Sequence, residues 1–212
     1  MDTQRQYVVL TTDLVRSRRI KGRQAEQERV LQAIDTINLE CAALLATRFY
    51  LSNGDQIQGV AAEPQKVPLL LRRLRGLLHP VGIRAGVGLG TITTALMPEN
   101  PGWMDGPAFH KARAALETAK AKTNCFTIFD GFGADQDQAL NTIYLLIDAL
   151  ITRWTKRQWE AVSAYERMRT YETAGKSLNI SASAVFQHCV AARREAVAAG
   201  EVLVEKWLTN IS

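Results

Sequence analysis

The sequence predicts an α+β protein in which a ferredoxin-like βαββαβ sheet unit is followed by an all-α helix-turn-helix unit. Three observations carry this expectation. Over the first 130 residues, β-branched runs and helix-period segments follow one another as strand, helix, strand, strand, helix, strand, helix, strand. The first six of these are the βαββαβ arrangement, a sheet with helices on one face. Beyond Asp130 the strand pattern gives way to apolar residues at helical spacing. The expected divisions are residues 1–131 for the sheet unit, 132–154 for a connecting helix and 155–212 for the helical unit.

Tyr7 to Thr12 is a nearly unbroken apolar and β-branched run, which suits a central strand buried on both faces. Arg16, Ser17, Arg18 and Arg19 then open a basic loop. From Gln24 to Ala46, Val30, Ile34, Ile37, Cys41, Leu44 and Leu45 recur at helical spacing and predict one long amphipathic helix. Arg48 to Ser52 and Gln56 to Ala62 read as the arms of a hairpin whose tip is Asn53-Gly54-Asp55, a turn signal. Val67 to Leu78 is a helix that Pro80 stops, its leucines sharing a face and Arg72, Arg73 and Arg75 lying off it.

Ile83 to Ile92 is a strand of unusual alternation. Ile83, Ala85, Val87 and Leu89 share one face, and Gly86, Gly88 and Gly90 share the other. Alternate glycines weaken a strand, so something approaches that face closely, either a packed helix or a ligand. A loop around Trp103 leads to an alanine-rich helix from Ala108 to Lys120, and Cys125 to Phe129 closes the unit as a short strand.

Two carboxylates stand at the ends of these strands. Asp13 ends the first apolar run, and Asp55 stands at the hairpin tip. Acidic groups held at neighbouring strand ends can share a divalent ion and a phosphate, which makes this pair the candidate metal site. Taken singly, each also reads as an ordinary cap or turn acid.

The overall charge permits a polyanion partner without demanding one. Residues 1–150 carry 17 Lys/Arg against 15 Asp/Glu, and residues 151–212 carry 9 against 6, so the tail is the more basic part per residue. Cys41, Cys125 and Cys189 lack any C-x-x-C spacing, which argues against a disulfide framework or zinc site and fits a reducing cytoplasm. No signal-peptide pattern is present, and the apolar run Ile143 to Ile151 is short and broken by Asp148, so neither export nor a membrane anchor is expected.

The segments TTDL at Asp13, SNGDQIQGV at Asp55, IRAGVGLGTI from Arg84 and DGPAFHKARAAL from Asp105 together resemble the catalytic domain of class III nucleotide cyclases. The related GGDEF diguanylate cyclase palm domains are similar too. Over its full length the chain looks most like the SatD family of small bacterial proteins, in which such a domain precedes a helix-turn-helix. The resemblance implies that Asp13 and Asp55 hold two ions, Mg²⁺ or Mn²⁺, on a nucleoside triphosphate. It implies a nucleotide-binding cradle at Arg16, Ser17 and Arg18, with Asn53 and Gly54 of the hairpin beside it. Cyclases also carry an Asn and an Arg on the helix after the glycine strand, where they stabilise the pentavalent phosphorus. Here His110 takes the Asn position, Ala114 the Arg position, and Arg113 lies one residue away, about 100° around the helix. Read as a GGDEF domain, the second acidic residue of that motif becomes Gln56.

In the tail, Gln136 to Trp154 reads as the connecting helix, with Leu140, Ile143, Tyr144, Ile147, Leu150 and Ile151 on a stripe that packs on the sheet unit or on a second copy. Thr155 caps a helix from Lys156 to Met168, and Thr170 to Leu178 forms a second. Leu178 to Ser181 is the turn, and Ser181 caps a third helix running through Arg194. Small Gly175 at the helix crossing, Asn179 at a position suited to positive φ and an inward Val185 fit a helix-turn-helix. On double-stranded DNA the third helix would place Ser183, Gln187 and His188 near base edges and Arg193 and Arg194 on phosphates. The alternative is a three-helix packing or dimerisation module. Functionally, the chain is thus expected to be a cytoplasmic DNA-binding regulator with a nucleotide- and metal-binding domain. The alternatives are an active nucleotidyl cyclase targeted by its tail, or an adaptor that uses neither site. A homodimer suits both of the first two readings.

Overall fold

A computed structural model describes residues 5–15, 23–52, 56–98, 101–122 and 126–209. Among them the chain is a mixed α+β protein with a five-stranded sheet and eight α-helices. The strands are β1 (Tyr7–Leu14), β2 (Leu45–Ser52), β3 (Gln56–Ala61), β4 (Ile83–Gly90) and β5 (Thr127–Asp130). Their order across the sheet is β2-β3-β1-β4-β5. β1 runs antiparallel to both β3 and β4, β2 antiparallel to β3, and β5 parallel to β4. The continuous apolar character of β1 follows from its central place, because Val8, Val9 and Leu10 are all buried, on alternating faces.

The helices are α1 (Arg23–Glu40), α2 (Val67–Leu78), α3 (Pro107–Ala121), α4 (Ala134–Ile151), α5 (Lys156–Met168), α6 (Tyr171–Leu178), α7 (Ala182–Ala191) and α8 (Arg194–Thr209). α1 and α2 cover one face of the sheet, where Ile34, Ile37, Leu70 and Leu74 pack with Val8, Leu10, Ile57 and Val87. α3 covers the other face, its Ala108, Phe109 and Ala112 meeting Val9 and Val60. Between the two explanations of the glycine strand, the packed helix is the one observed. A Cβ at Gly86 or Gly88 would fall under 3 Å from the backbone of Ala112, so α3 lies directly on the β4 main chain.

Three helix ends differ from the sequence expectation, the simplest being the connecting helix, which stops at Ile151 instead of Trp154. α1 stops at Glu40, a 3₁₀ turn spans Ala42–Leu44, and Leu45 and Ala46 already belong to β2. The cause is a long-range one: the Asn38 carboxamide accepts from Phe49 N at 2.7 Å and donates to Phe49 O at 2.9 Å, which holds β2 against α1. The third helix of the tail also ends early, at Ala191, where Trp154 Nε1 donates to Ala192 O at 2.7 Å and Arg193 turns left-handed at φ 53°. A separate helix, α8, starts at Arg194.

α8 joins two cores. Its Val197 is buried with Trp159, Val162, Ala174 and Val185 of the helical tail, whereas Val204 and Leu208 complete the core beneath the sheet. The α4 stripe divides the same way, Leu140 and Tyr144 facing the sheet core and Ile147 and Ile151 the helical one. It is therefore buried inside one chain.

Ion pairs tie the layers together through α2. Arg75 lies in the interior, with Nη1 2.7 Å from Asp148 Oδ1 of α4 and Nη2 donating to Thr127 Oγ1 of β5 at 2.5 Å. Burial pushes the Asp148 carboxyl up, and the Arg75 guanidinium opposes the shift. Arg72 reaches Glu166 of α5 at 2.8 Å and Glu201 of α8 at 2.7 Å, and Arg73 pairs with Glu40 of α1. No described helix is long and apolar enough to cross a membrane.

Candidate functional site

The end of β1 gathers polar groups on the face that α3 covers. Asp13 lies opposite Gln56 of β3 on one side and Arg84 of β4 on the other, and opposed residues of an antiparallel pair share a face. From α3, Lys120 brings its Nζ to 3.6 Å from Asp13 Oδ2 and 3.0 Å from Glu117 Oε1. The close seating of α3 on Gly86, Gly88 and Gly90 sets this approach, because a bulkier strand would lift the helix and its lysine away. A half-buried carboxylate with an ammonium and a guanidinium on one face can hold a cation and an anion side by side.

Farther along the same face, Thr11 and Gln58 are buried, and the Tyr50 hydroxyl of β2 hydrogen-bonds Gln58 Oε1 at 2.8 Å. Burial raises the Tyr50 phenol, and the positive charge of Arg113 on α3 is among the influences that oppose the rise. This gives a polar floor between the flank of α3 and the edge hairpin. Lys120, Arg84 and Tyr50 carry no local sequence signal of a site, since only the packing of α3 and the strand register bring them to Asp13's face.

Asp55, Asn53, Gly54, Arg16, Ser17 and Arg18 lie outside the described residues. Their described neighbours lead to this end of the sheet: Gln56 opposes Asp13, Ser52 opposes Gln56, and Val15 N donates to Gly82 O at 2.7 Å. Among the described residues no three His, Cys, Asp or Glu side chains gather into a metal-sized group.

His110 and Arg113 lie elsewhere on α3. His110 is exposed near the start of the helix, with Nε2 3.3 Å from Asp105 Oδ1, an orienting partner that sequence alone did not reveal. Ten residues separate it from Lys120, about 15 Å along the axis, and seven separate Arg113, about 10 Å.

In the tail, α5, α6 and α7 pack around one core. Thr155, Thr170 and Ser181 accept from backbone N–H groups as N-caps, and Thr155 with Gln158 completes a capping box. A Cβ at Gly175 would lie 2.7 Å from Ile180 O, and Asn179 adopts φ 55°, so the α6–α7 turn is tight and left-handed. Val185 points inward. Ser183 and Gln187 are exposed on the outer side of α7 together with Phe186 and Val190, two apolar residues that the sequence reading had not placed there. His188 is half-buried. Arg193 is exposed at the break after α7, whereas the Arg194 guanidinium turns back over the Tyr165 ring of α5, 4.7 Å from its centroid.

No curated protein matches the sequence. The model of the SatD family matches residues 7–199, which takes in the whole sheet, α4 and the tail into α8. By that match over most of its length, the chain belongs to the SatD family.

Proposed function

We propose that the chain is a cytoplasmic DNA-binding regulator whose sheet unit, a ferredoxin-like palm, binds a nucleotide with a divalent metal, and whose helix-turn-helix binds duplex DNA. The observation that carries the nucleotide part is the grouping at the end of β1: Asp13 faces Lys120 at 3.6 Å and stands opposite Arg84 and Gln56. Asp13 and Asp55 would hold Mg²⁺ or Mn²⁺, which neutralises phosphate charge when bound. Lys120 and Arg84 would supply cations for phosphate oxygens, and Gln58 and Tyr50 would supply polar contacts farther along the same face. The strand order β2-β3-β1-β4, with β1 antiparallel to both neighbours, supports the palm reading.

The DNA part rests on α7. Its N-terminal cap, the tight left-handed turn before it and the outward Ser183 and Gln187 suit a helix laid in a major groove. Arg193 at the end of α7 is positioned for a phosphate, and exposed Phe186 and Val190 offer apolar contact to thymine methyl groups.

The second reading is a nucleotidyl cyclase, and the Asp13–Lys120 grouping keeps it in play. His110 and Arg113 sit about 10–15 Å along α3 from Lys120, and in this reading a second copy brings its own α3 to Asp13. A homodimer serves the regulator as well, giving two recognition helices for a symmetric site.

One experiment separates the readings. The protein is incubated with each ribonucleoside triphosphate and Mg²⁺ or Mn²⁺, the products are read by mass spectrometry, and nucleotide affinity is measured by calorimetry beside Asp13→Asn. The regulator binds a triphosphate, loses that binding in Asp13→Asn and returns it unchanged. A cyclic or linked product that vanishes in the variant makes the protein an enzyme, and binding indifferent to Asp13 sinks both readings.

A further inference from the structure

A groove of about 550 Å³ lies on the opposite side of the sheet from α3, between α1 and α2 on one wall and α5 and α8 on the other. Five arginines line it: Arg72, Arg73, Arg167, Arg169 and Arg194. The two on the α2 wall already have carboxylates, Arg72 with Glu166 and Glu201 and Arg73 with Glu40. The other three differ. Among the described residues no carboxylate stands within 4.0 Å of Arg167, Arg169 or Arg194, although Glu166 and Glu205 also line the groove and Glu166 feels the charges of Arg194 and Arg169.

Helix electrostatics do not account for this trio. Cations near the C-terminus of α5 compensate its dipole, which gives Arg167 and Arg169 an ordinary role. Arg194, however, is the first residue of α8, the end at which a positive charge opposes the dipole. Stacking over Tyr165 turns its guanidinium toward α5 and the groove. The three charges converge from two helices on one cleft, and guanidinium forks match the oxygens of phosphate. The volume is that of a small-molecule pocket, and the place, between two packed units, is where such pockets concentrate.

We propose that this groove is a second ligand site, which takes a small phosphorylated anion between the sheet unit and the helical tail. Arg167, Arg169 and Arg194 grip the phosphate, while Arg72 stays on Glu166 of α5 and Glu201 of α8, and Arg73 on Glu40 of α1. The ligand touches α5 and α8 together and so bears on how the tail sits against α2. The site is independent of the nucleotide reading at Asp13, since the two lie on opposite faces of the sheet.

The test uses the full chain, inorganic pyrophosphate as the probe, EDTA to remove divalent ions and about 150 mM salt to screen diffuse attraction. Calorimetry compares wild type, Arg167→Gln with Arg169→Gln, and Lys120→Ala, each checked for an unchanged melting temperature. Both rim arginines are exposed, so the double variant retains the fold. Wild type and Lys120→Ala bind one pyrophosphate alike, and the double variant loses about tenfold or more, as expected for two charge-assisted contacts. No binding by wild type, equal binding by the double variant, or loss confined to Lys120→Ala would each overturn the proposal. The last of these would place the anion at the end of β1 instead.

Discussion

Replacing Glu201 with glutamine should stabilise the protein at alkaline pH even though it removes one partner of an ion pair. Glu201 is buried on α8, with Arg72 and Arg75 of α2, Glu166 of α5, Tyr144 of α4 and its own neighbour Glu205 around it. Burial outweighs the attraction of Arg72 and lifts the carboxyl from 4.5 to about 7. At ~1.36 kcal/mol for each pH unit of that gap, the buried ionised form is disfavoured by about 3 kcal/mol relative to the neutral one. Because the folded value is raised, this stabilisation is whole below pH 4.5 and is lost as pH climbs through about 7. Glutamine mimics the neutral form at every pH. Arg72 is not orphaned in the variant, since Glu166 still holds it at 2.8 Å. Urea unfolding followed by circular dichroism at pH 5, 6, 7 and 8 should therefore show Glu201→Gln near wild type at pH 5 and up to about 3 kcal/mol more stable at pH 8. Asp148 and Glu166 also have raised values and tilt the wild-type curve the same way, so the difference between the two proteins is the quantity to read. A variant less stable than wild type at pH 8 would mean that the Arg72 attraction exceeds the cost of burial, and the reasoning would fail.

Three further predictions concern packing and charge in the same layers. Arg75→Met strands the fully buried Asp148 and should cost about 3–5 kcal/mol, and adding Asp148→Leu should recover much of the loss, measured as urea midpoints. Gly88→Ala drives a methyl into the backbone of α3 and should unfold the protein or cost more than about 3 kcal/mol. Gly59→Ala, by contrast, meets the Phe49 ring at 2.7 Å, a side chain that can shift, and should cost about 1–3 kcal/mol, both glycine variants being read by urea unfolding.

Where information is local, the sequence carried the fold. Pro64 and Pro80 bracket α2, whose leucine period places it at Val67–Leu78, and the caps Thr155, Thr170 and Ser181 mark the three helix starts of the tail. Two of the misplaced helix ends were set by groups remote in sequence, Asn38 acting on Phe49 and Trp154 acting on Ala192. α8 was overlooked although Val197, Val204 and Leu208 repeat at helical spacing, because a helix-turn-helix template ends with the third helix. Asp13 was legible as a strand-end carboxylate, and the close approach to the β4 glycines was legible as well. That Lys120 is the residue delivered to Asp13 depends on where along β4 the helix seats, which a one-dimensional pattern does not encode. Asp148 read as a polar interruption of an apolar run. Its partner Arg75 looked like one more arginine lying off the leucine face of α2, and only the three-dimensional crossing of α2 and α4 joins them.

α8 makes the tail something other than a module on a flexible tether. Sixteen helical residues form a rod of about 24 Å. One end of the rod, Val197, is locked among α5, α6 and α7, and the other, Val204 and Leu208, fills the core beneath the sheet. Gly200 lies between them against Ile143 and Ile147 of α4, where an added Cβ would come within 3.0 Å, so the rod is also seated on the connecting helix with little clearance. A rotation of α5–α7 relative to the sheet must then carry α8 with it, withdrawing Val204 and Leu208 from their core, or break the helix near Gly200. Burying a side chain of this kind is worth roughly 1.5–3 kcal/mol, and withdrawing α8 also separates Glu201 from Arg72. Small adjustments at the α2 wall are therefore far cheaper than a swing of the whole tail, because α8 and α4 each share residues with both cores.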